Sequence, residues 1–329
     1  MKQLVFMFVI ISTFYTAPAE SQNLKPASYP YVLLTNGQVS CSVFLPDREQ
    51  GFYRSTRWEW SGMIWQLTYK GHTYFSERSN CTPHDPLNNE HAMSTAEEFG
   101  ILDAIRFDEA KPGETFMKIG VGLLEKPEGD DSYHFYGKYR LVEPGTWSAN
   151  YGDTWIEFVH TLHDRYGYSY TYRKRMDLVP GEPALLIGNS LENTGTQRLV
   201  TDQYNHNFFA IDNVLIGPDY RIDFTFTPTL SADFSPTAGV RDNTLVFFKD
   251  VEKALFTNVL GFGSSPEQNR VIITNTKTGA AVDIRGDYPL AKINFWTDGQ
   301  VLSPEMFMGI DIAPGETVTW KRTYTFMEK

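Results

Sequence analysis

Short apolar segments in which apolar and polar positions alternate follow one another along most of the chain. In the segment 166–172, tyrosines alternate with Gly, Ser and Thr, which is the period-two pattern of a half-buried β-strand. Turn pairs such as Asn36-Gly37 join neighbouring segments into predicted hairpins. The predicted strands are 31–34, 39–45, 65–69, 72–75, 105–107, 117–124, 133–142, 155–162, 166–178, 184–192, 198–211, 220–226, 245–248, 255–260, 270–276, 280–285, 291–297 and 317–326.

The pattern contains no convincing amphipathic helix longer than about two turns, no repeat of fixed period and no low-complexity linker. Many short strands separated by turns are typical of an all-β sandwich or barrel. No change in composition marks a domain boundary. We therefore predict a single all-β domain that spans 20–329.

One long stretch, 77–100, lacks clear periodicity. Long irregular loops in compact domains are often functional, so we expect this one to fold over a cleft and to contribute His84 or a carboxylate to a ligand. His84, Asp85, Glu90 and His91 could also be metal ligands. Their spacing matches no known metal motif, and we predict no metal site.

Composition and charge narrow the function. Aromatic residues make up 15% of the chain; they favour strands and can also stack on sugar rings. The formal net charge is −11 and no run of Lys or Arg is present, which argues against nucleic acid as a partner.

The first 19 residues have the features of a secretory signal peptide: Lys2, the apolar run 4–11 and a small-x-small cleavage site at 17–19. We predict a periplasmic or secreted protein with no integral membrane segment after cleavage. Export makes Cys41 and Cys81 a possible disulfide, although the sequence alone leaves their pairing open.

Three further stretches contain candidate site residues. In 51–64, strand alternation would place Arg57 and Glu59 opposite Trp58 and Trp60. This arrangement fits either an ion pair on a solvated sheet face or a wall that faces a sugar. His206 lies in an apolar strand, where a histidine is more often a satisfied core residue than a catalytic one.

Glu305 follows Pro304 among apolar neighbours. Such surroundings would raise the pKa of its carboxyl group towards that of a useful general base, but a surface glutamate at a turn fits the local sequence equally well.

These motifs resemble the galactose mutarotase-like superfamily of aldose 1-epimerases and related proteins. The segment Asn205-His206-Asn207-Phe208-Phe209 is similar to the family's Asn-His-x-Tyr-Phe strand, with Phe208 in place of Tyr. The resemblance implies that His206 is the general acid and Glu305 the general base. It also implies a β-supersandwich, in which two large antiparallel sheets form a cleft on the concave face.

The same resemblance suggests residues that bind a mono- or oligosaccharide, with no cofactor required. Arg57 matches the family's substrate arginine, with Arg54 second, and His84 is the nearest candidate for its second histidine. The family's aspartate could be Asp219, Asp223 or Asp233. The remaining candidates for holding or stacking on the sugar are Glu97, Glu98, Asn205, Trp60 and Trp296.

Other carbohydrate functions on the same scaffold stay open. The protein could bind a carbohydrate without turnover. A polysaccharide lyase could use Tyr53 with the Arg54/Arg57 pair, and a glycoside hydrolase would need two carboxylates, for which Glu98 and Glu305 are the candidates.

Overall fold

The computed structural model describes residues 28–78 and 80–329, so the predicted signal peptide lies outside the described residues. This part of the chain is almost entirely β-structure, with two short 3₁₀ helices at Ile211–Asn213 and Pro266–Gln268. The predicted all-β class is confirmed. The strands are β1 (Tyr31–Thr35), β2 (Val39–Phe44), β3 (Ile64–Tyr69), β4 (His72–Thr73), β5 (Thr95–Phe99), β6 (Thr115–Lys118), β7 (Gly122–Glu125), β8 (Arg140–Glu143), β9 (Thr146–Tyr151), β10 (Trp155–His163), β11 (Ser169–Leu178), β12 (Ala184–Asn193), β13 (Leu199–Asn207), β14 (Tyr220–Phe224), β15 (Thr229–Leu230), β16 (Ala238–Arg241), β17 (Thr244–Phe247), β18 (Leu255–Leu260), β19 (Arg270–Asn275), β20 (Ala280–Gly286), β21 (Lys292–Thr297), β22 (Leu302–Ile312) and β23 (Thr317–Glu328).

Two large antiparallel sheets dominate the architecture. The ten-stranded sheet has the order β16-β17-β14-β19-β20-β23-β12-β11-β10-β9, and the six-stranded sheet has the order β15-β18-β21-β22-β13-β5. A four-stranded sheet, β1-β2-β3-β4, and a three-stranded sheet, β6-β7-β8, complete the fold. This is the predicted sandwich.

The strand pattern explains where the core lies. Along β10 and β12, buried positions alternate with less buried ones, so each strand turns one face to the core. Aliphatic and aromatic side chains from both large sheets, among them Ile187, Phe295 and Phe326, belong to one buried cluster. Removal of this apolar surface from water is the main stabilising term of such a sandwich.

Several predicted strands were wrong. The segment 105–107 forms only an isolated bridge between Ile105 and Met117, and the strand predicted at 198–211 ends at Asn207. The segment 117–124 is a hairpin of β6 and β7, and only the end of 133–142 forms a strand, β8. Within the predicted loop 77–100, the last residues form β5, which is buried along its whole length. Glu305, for which a surface turn was one of two interpretations, is part of β22, an eleven-residue strand. β5 and the part 302–308 of β22 are buried on both faces and therefore lack the alternation that marks a strand with one buried face.

A buried polar cluster lies between the two large sheets. The ammonium group of Lys174 on β11 forms ion pairs with the carboxylates of Glu59 and Glu97. Arg322 on β23 reaches the same cluster, with Nη1 3.8 Å from Glu97 Oε1. All four side chains are at most 1% exposed. Burial lowers the pKa of Lys174 and raises that of Glu97, so each group depends on its partners to remain charged.

The possible disulfide between Cys41 and Cys81 is absent, because both residues are free thiols. Cys41 lies on β2 within the apolar core, whereas Cys81 lies in the loop before β5 with Sγ 3.7 Å from the carbonyl oxygen of Glu90. Each thiol is therefore buried among its own neighbours. In residues 28–78 and 80–329, no helix has the length and hydropathy of a membrane span.

Candidate active site

One face of the six-stranded sheet presents a row of polar side chains across three neighbouring strands. The strand register pairs Asn258 on β18 with Asn294 on β21, and Asn294 with Glu305 on β22. Asn258 Nδ2 donates to Asn294 Oδ1 at 2.7 Å, and Asn294 Nδ2 donates to Glu305 Oε2 at 3.0 Å. The two amides therefore form a chain of hydrogen bonds that fixes the orientation of the carboxylate.

A local break in the sheet lies beside this carboxylate. The regular register between β13 and β22 ends at the pair Gln203–Met308, and beyond it the backbone N–H of Asn207 donates to Ser303 Oγ at 2.8 Å. Pro304 has no N–H to continue the ladder. At this irregular position His206 Nε2 lies 3.3 Å from Glu305 Oε1, and the two side chains are 6% and 5% exposed.

His206 is packed among aromatic rings. Its imidazole stacks on Phe208 at 4.1 Å between ring centroids and meets Trp58 and Trp296 at 5.5 and 5.0 Å. Its Nδ1 atom is buried and has no hydrogen-bond partner among the described residues. Burial, and then the charges of Arg57 and Arg78, lower the pKa of His206 well below its usual value. The imidazole is therefore neutral at pH 7.

The pKa of Glu305 is shifted in the opposite direction. Burial raises the pKa of its carboxyl group to about 7, and the charge of Glu98 adds to the rise. The hydrogen bond from Asn294 and the charges of Arg57 and Lys292 oppose this rise. The carboxyl group therefore exchanges a proton near neutral pH, as a general acid or base requires.

Two arginines and a carboxylate form the opposite wall. Arg57 donates from Nε to Glu98 Oε2 at 3.1 Å and from Nη1 to Glu90, and its guanidinium lies 4.0 Å from the ring centroid of Trp58. Arg78 binds the second oxygen of Glu90 and lies 4.8 Å from the ring centroid of Trp296. Burial alone would raise the pKa of Glu90, but the two guanidinium groups lower it.

These groups enclose a cavity of about 600 Å³. That volume lies within the usual range for small-molecule sites, roughly 300–1,000 Å³. Apolar and polar side chains alternate around it, a composition suited to a sugar with both hydroxyl groups and a C–H face. The lining residues are Arg57, Arg78, Glu90, Ile101, Leu102, Phe135, His206, Phe256, Asn258, Lys292, Asn294, Trp296 and Glu305.

Four residues predicted from the sequence line this cavity together: Arg57, His206, Trp296 and Glu305. Asn205 and Glu97 do not. Asn205 neighbours His206 on β13, so its side chain points to the other face of the sheet. There it donates to Glu97 Oε1 at 3.0 Å and accepts a hydrogen bond from Arg322. The structure thus gives Asn205 and Glu97 a place in the buried cluster instead of contact with a ligand.

The other four predicted binding residues also lie away from the cavity lining. Glu98 is buried behind Arg57 and also binds Lys118. Trp60 is buried and donates from Nε1 to the carbonyl oxygen of Ser55 at 2.9 Å. The remaining two contact other loop residues: Arg54 donates to a carbonyl oxygen in 47–51, and His84 stacks on Phe52, 32 positions earlier in the chain, at 4.0 Å.

Several lining residues were missed by the sequence analysis, notably Arg78, Asn258, Lys292 and Asn294. The alternation along β21 was a usable signal, since Lys292, Asn294 and Trp296 occupy every second position of one strand. Trp296 was selected from that strand as a stacking residue, but its polar neighbours on the same face were not. Arg78 lies in the irregular stretch, where no periodicity indicates a direction.

The alternative constellations are not assembled. Tyr53 is buried and accepts hydrogen bonds from the backbone N–H groups of Arg57 and Trp58, so it does not face the cavity as a lyase base would. Glu98 is covered by Arg57 and does not line the cavity, so the pair of Glu98 and Glu305 predicted for a hydrolase is not formed. None of the three candidate aspartates, at 219, 223 and 233, lines the cavity.

Comparison with known proteins identifies the fold. No protein-family model and no curated protein matches the chain. Among solved structures, an aldose epimerase homologue from C. elegans is 13% identical with a TM-score of 0.57, and the match covers 92% of this chain and 99% of that chain. A galactose 1-epimerase from Lactobacillus acidophilus NCFM is 11% identical with a TM-score of 0.53, and the match covers 93% of this chain and 99% of that chain.

A galactose mutarotase-like protein from Lactobacillus casei is 10% identical with a TM-score of 0.56, and the match covers 90% of this chain and all of that one. The chain therefore has the galactose mutarotase-like fold, and the predicted resemblance is confirmed at that level. At these identities the shared property is the fold, so the chemistry must be argued from the site.

Proposed function

We propose that the protein is an aldose 1-epimerase-like enzyme that interconverts the anomers of a sugar bound in this cavity. The observation that carries the proposal is the buried contact between His206 and Glu305 on the cavity wall. Mutarotation needs one acid and one base that act on the same sugar, and this pair supplies both. The galactose mutarotase-like fold supports the same class of substrate.

The reaction proceeds by ring opening. Glu305 takes the proton of the anomeric hydroxyl, the electrons of that O–H bond form the C1 carbonyl, and the bond from C1 to the ring oxygen breaks. His206 donates a proton to the ring oxygen as it leaves. Rotation about the C1–C2 bond presents the other face of the carbonyl, and reversed proton transfers close the second anomer.

This cycle requires the pair to hold one proton in total. Burial favours the uncharged imidazole of His206 and raises the pKa of Glu305, so in the site without sugar the proton resides on the carboxyl group. The 3.3 Å contact between His206 Nε2 and Glu305 Oε1 allows it to pass to the imidazole before the sugar opens. Arg57 would hold sugar hydroxyl groups, and Trp296 would stack on the ring.

The test is polarimetry or anomeric proton NMR on freshly dissolved α-glucose, α-galactose and other aldoses. We expect the native protein to accelerate anomer equilibration, and His206→Ala and Glu305→Gln to remove the acceleration. His163→Gln and Glu192→Gln, at exposed positions outside the cavity, are the matched controls and should retain it. If no aldose equilibrates faster but sugars still bind, the protein is a carbohydrate-binding protein and the proposed turnover is wrong.

The predicted signal peptide leads to a second proposal, that the protein acts in the periplasm or outside the cell. Mass spectrometry of the protein isolated from those compartments would show a mature chain that begins near residue 20. Recovery of the full-length chain from the cytoplasm alone would contradict it.

A further inference from the structure

One cation on the cavity wall, Lys292, has no described carboxylate within ion-pair distance. Lys292 precedes Asn294 and Trp296 by two and four positions on β21, so all three side chains share one face of the sheet. Its ammonium group lies 3.8 Å from the ring centroid of Phe307. Among residues 28–78 and 80–329, Lys292 forms no ion pair within 4.0 Å. A half-buried lysine thus lines the cavity with no described carboxylate in contact, and its charge reaches Asp202 and Glu305 only at longer range, where it lowers the pKa of both carboxyl groups.

The other two cations of the cavity are already matched. Arg57 binds Glu98 and Glu90, and Arg78 binds the other oxygen of Glu90. The three cations of the cavity wall therefore meet Glu90, Glu98 and Glu305, and of the three only Lys292 has no described carboxylate within ion-pair distance. On a chain with a net charge of −11, this lysine is the one cation of the cavity that remains available to contact an anionic ligand.

We propose that the natural substrate of this site is an acidic sugar, a hexuronic acid whose carboxylate contacts the ammonium group of Lys292. This inference rests on the proposed function, because it names the class of sugar that the epimerase would open. Two residues along β21 correspond to about 7 Å. Lys292 is offset by this distance from Asn294, whose amide binds Glu305. The offset is comparable with the length of a pyranose ring with its C6 group.

The charge of the site favours a carboxylate over a phosphate. A phosphate ester carries about −1.5 to −2 charges at pH 7 and is best bound by several donors or by the fork of an arginine. Here both arginines bind glutamates, and only the ammonium group of Lys292 has no described carboxylate within ion-pair distance. A ligand with a single negative charge matches this single ammonium group, and Trp296, on the same face of β21, remains available to stack on the sugar ring.

The experiment compares glucuronate and galacturonate with glucose, galactose and glucose 6-phosphate. Anomer exchange is measured by NMR, and binding of each sugar is measured separately by calorimetry, so that binding is scored even without turnover. The variants are Lys292→Met, which keeps a side chain of similar length and removes its charge, and Lys292→Arg, which keeps the charge. Lys321→Met, at an exposed position on β23, is the matched control.

We expect the native protein to prefer the uronates. Loss of a charge-assisted hydrogen bond should lower kcat/KM and affinity for uronates about tenfold to a hundredfold in Lys292→Met, mainly through KM. Neutral sugars should be affected much less, through the change in the pKa of Glu305 that follows loss of the Lys292 charge, and Lys292→Arg should restore part of the preference. These changes in binding would support the proposal even if no sugar is turned over, an outcome that would contradict the epimerase reaction alone.

Three results would overturn the inference. If Lys292→Met lowers kcat/KM and affinity equally for uronates and neutral sugars, the lysine does not bind the carboxylate. The same conclusion follows if the native protein shows no preference for uronates. Stronger recognition of glucose 6-phosphate than of both uronates would show that the anion is a phosphate.

Discussion

Replacement of Glu305 by glutamine should stabilise the protein at alkaline pH while it removes the proposed activity. The carboxyl group is 5% exposed, and burial raises its pKa from 4.5 to about 7. In the unfolded chain the same group ionises with an ordinary pKa. Above pH 7 the folded protein must therefore hold a carboxylate in surroundings that favour its protonated form, and this lowers the free energy of unfolding.

The magnitude follows from the two pKa values. One pKa unit corresponds to about 1.4 kcal/mol, so a rise from 4.5 to about 7 amounts to about 3 kcal/mol. A raised carboxyl pKa contributes stability that is complete below the unfolded value and is lost as the pH rises through the folded value. The difference in unfolding free energy, Glu305→Gln minus native, should therefore increase by about 3 kcal/mol between pH 4.5 and pH 8 and then level off.

The assay is chemical denaturation of both proteins at a series of pH values. Hydrogen bonds that glutamine gains or loses add a constant offset and do not change the slope. Because the imidazole titrates in the same range, the comparison is repeated in a His206→Gln background. Glu90→Gln is the control of opposite sign: Arg57 and Arg78 lower the pKa of Glu90, so this variant should lose stability relative to the native protein as the pH rises.

If the difference in unfolding free energy between Glu305→Gln and the native protein does not change with pH, burial does not destabilise the ionised carboxyl group. A slope of the opposite sign would show that the site holds a stable imidazolium–carboxylate pair. In that case the order of proton transfers proposed above would have to begin from a different resting state.

Two further predictions concern the catalytic pair and the buried cluster. The rate of anomer exchange should be bell-shaped in pH, rising through the lowered pKa of the imidazole and falling through about 7 as the pair loses its one proton, which a pH–rate profile by NMR would measure. Lys174→Met should destabilise the protein by roughly 3–5 kcal/mol in denaturant titrations, because it leaves Glu59 buried without its ion-pair partner and leaves Glu97 with only the more distant Arg322.

Each of these has a clear contrary result. A rate that keeps rising well above pH 8 would mean that the proton on the pair is not needed. For the buried cluster, Lys70→Met is the control, since Lys70 and its partner Glu328 are about half exposed and should contribute little. If Lys174→Met is no more harmful than Lys70→Met, the two glutamates must be protonated or otherwise satisfied in the native protein.

The all-β class, most strands and four cavity residues could be predicted because each leaves a local signal. Alternation marks strands with one buried face, and the short histidine motif and the isolated Glu305 mark the two reactive side chains. The same signals disappear where a strand is buried on both faces. β5 was therefore predicted as part of a loop, and β22, which is buried on both faces over 302–308, was not predicted as a strand, although the two carry Glu98 and Glu305.

The direction of a side chain was harder to predict than its presence in a strand. Asn205 and His206 are neighbours, and one residue along a strand reverses the face. The family motif predicted both as site residues, but only His206 lines the cavity. The partners of Arg57 were also out of reach, because Glu90 and Glu98 contact it across 33 and 41 positions of the chain through an irregular loop.

The two faces of β13 meet opposite physical demands. On the inner face, Asn205 and Asn207 bond to side chains of the ten-stranded sheet: Tyr324 donates to Asn207 Oδ1 at 2.8 Å, and Arg322 donates to Asn205. On the cavity face, His206 keeps a buried nitrogen with no hydrogen-bond partner in the described part of the chain, and burial raises the pKa of Glu305 to about 7. Unmet polar groups of this kind cost stability and persist only where the surroundings fix them.

That division locates the function of the strand. The inner face fixes the backbone on both sides of His206, and the rings of Phe208, Trp58 and Trp296 pack against its imidazole. The destabilised groups are the two that a sugar's hydroxyl groups and ring oxygen can satisfy. Sugar binding would then offset part of the free-energy cost of burying these two groups. The stability gained by Glu305→Gln at alkaline pH measures the part of this cost that comes from Glu305 when no ligand is bound.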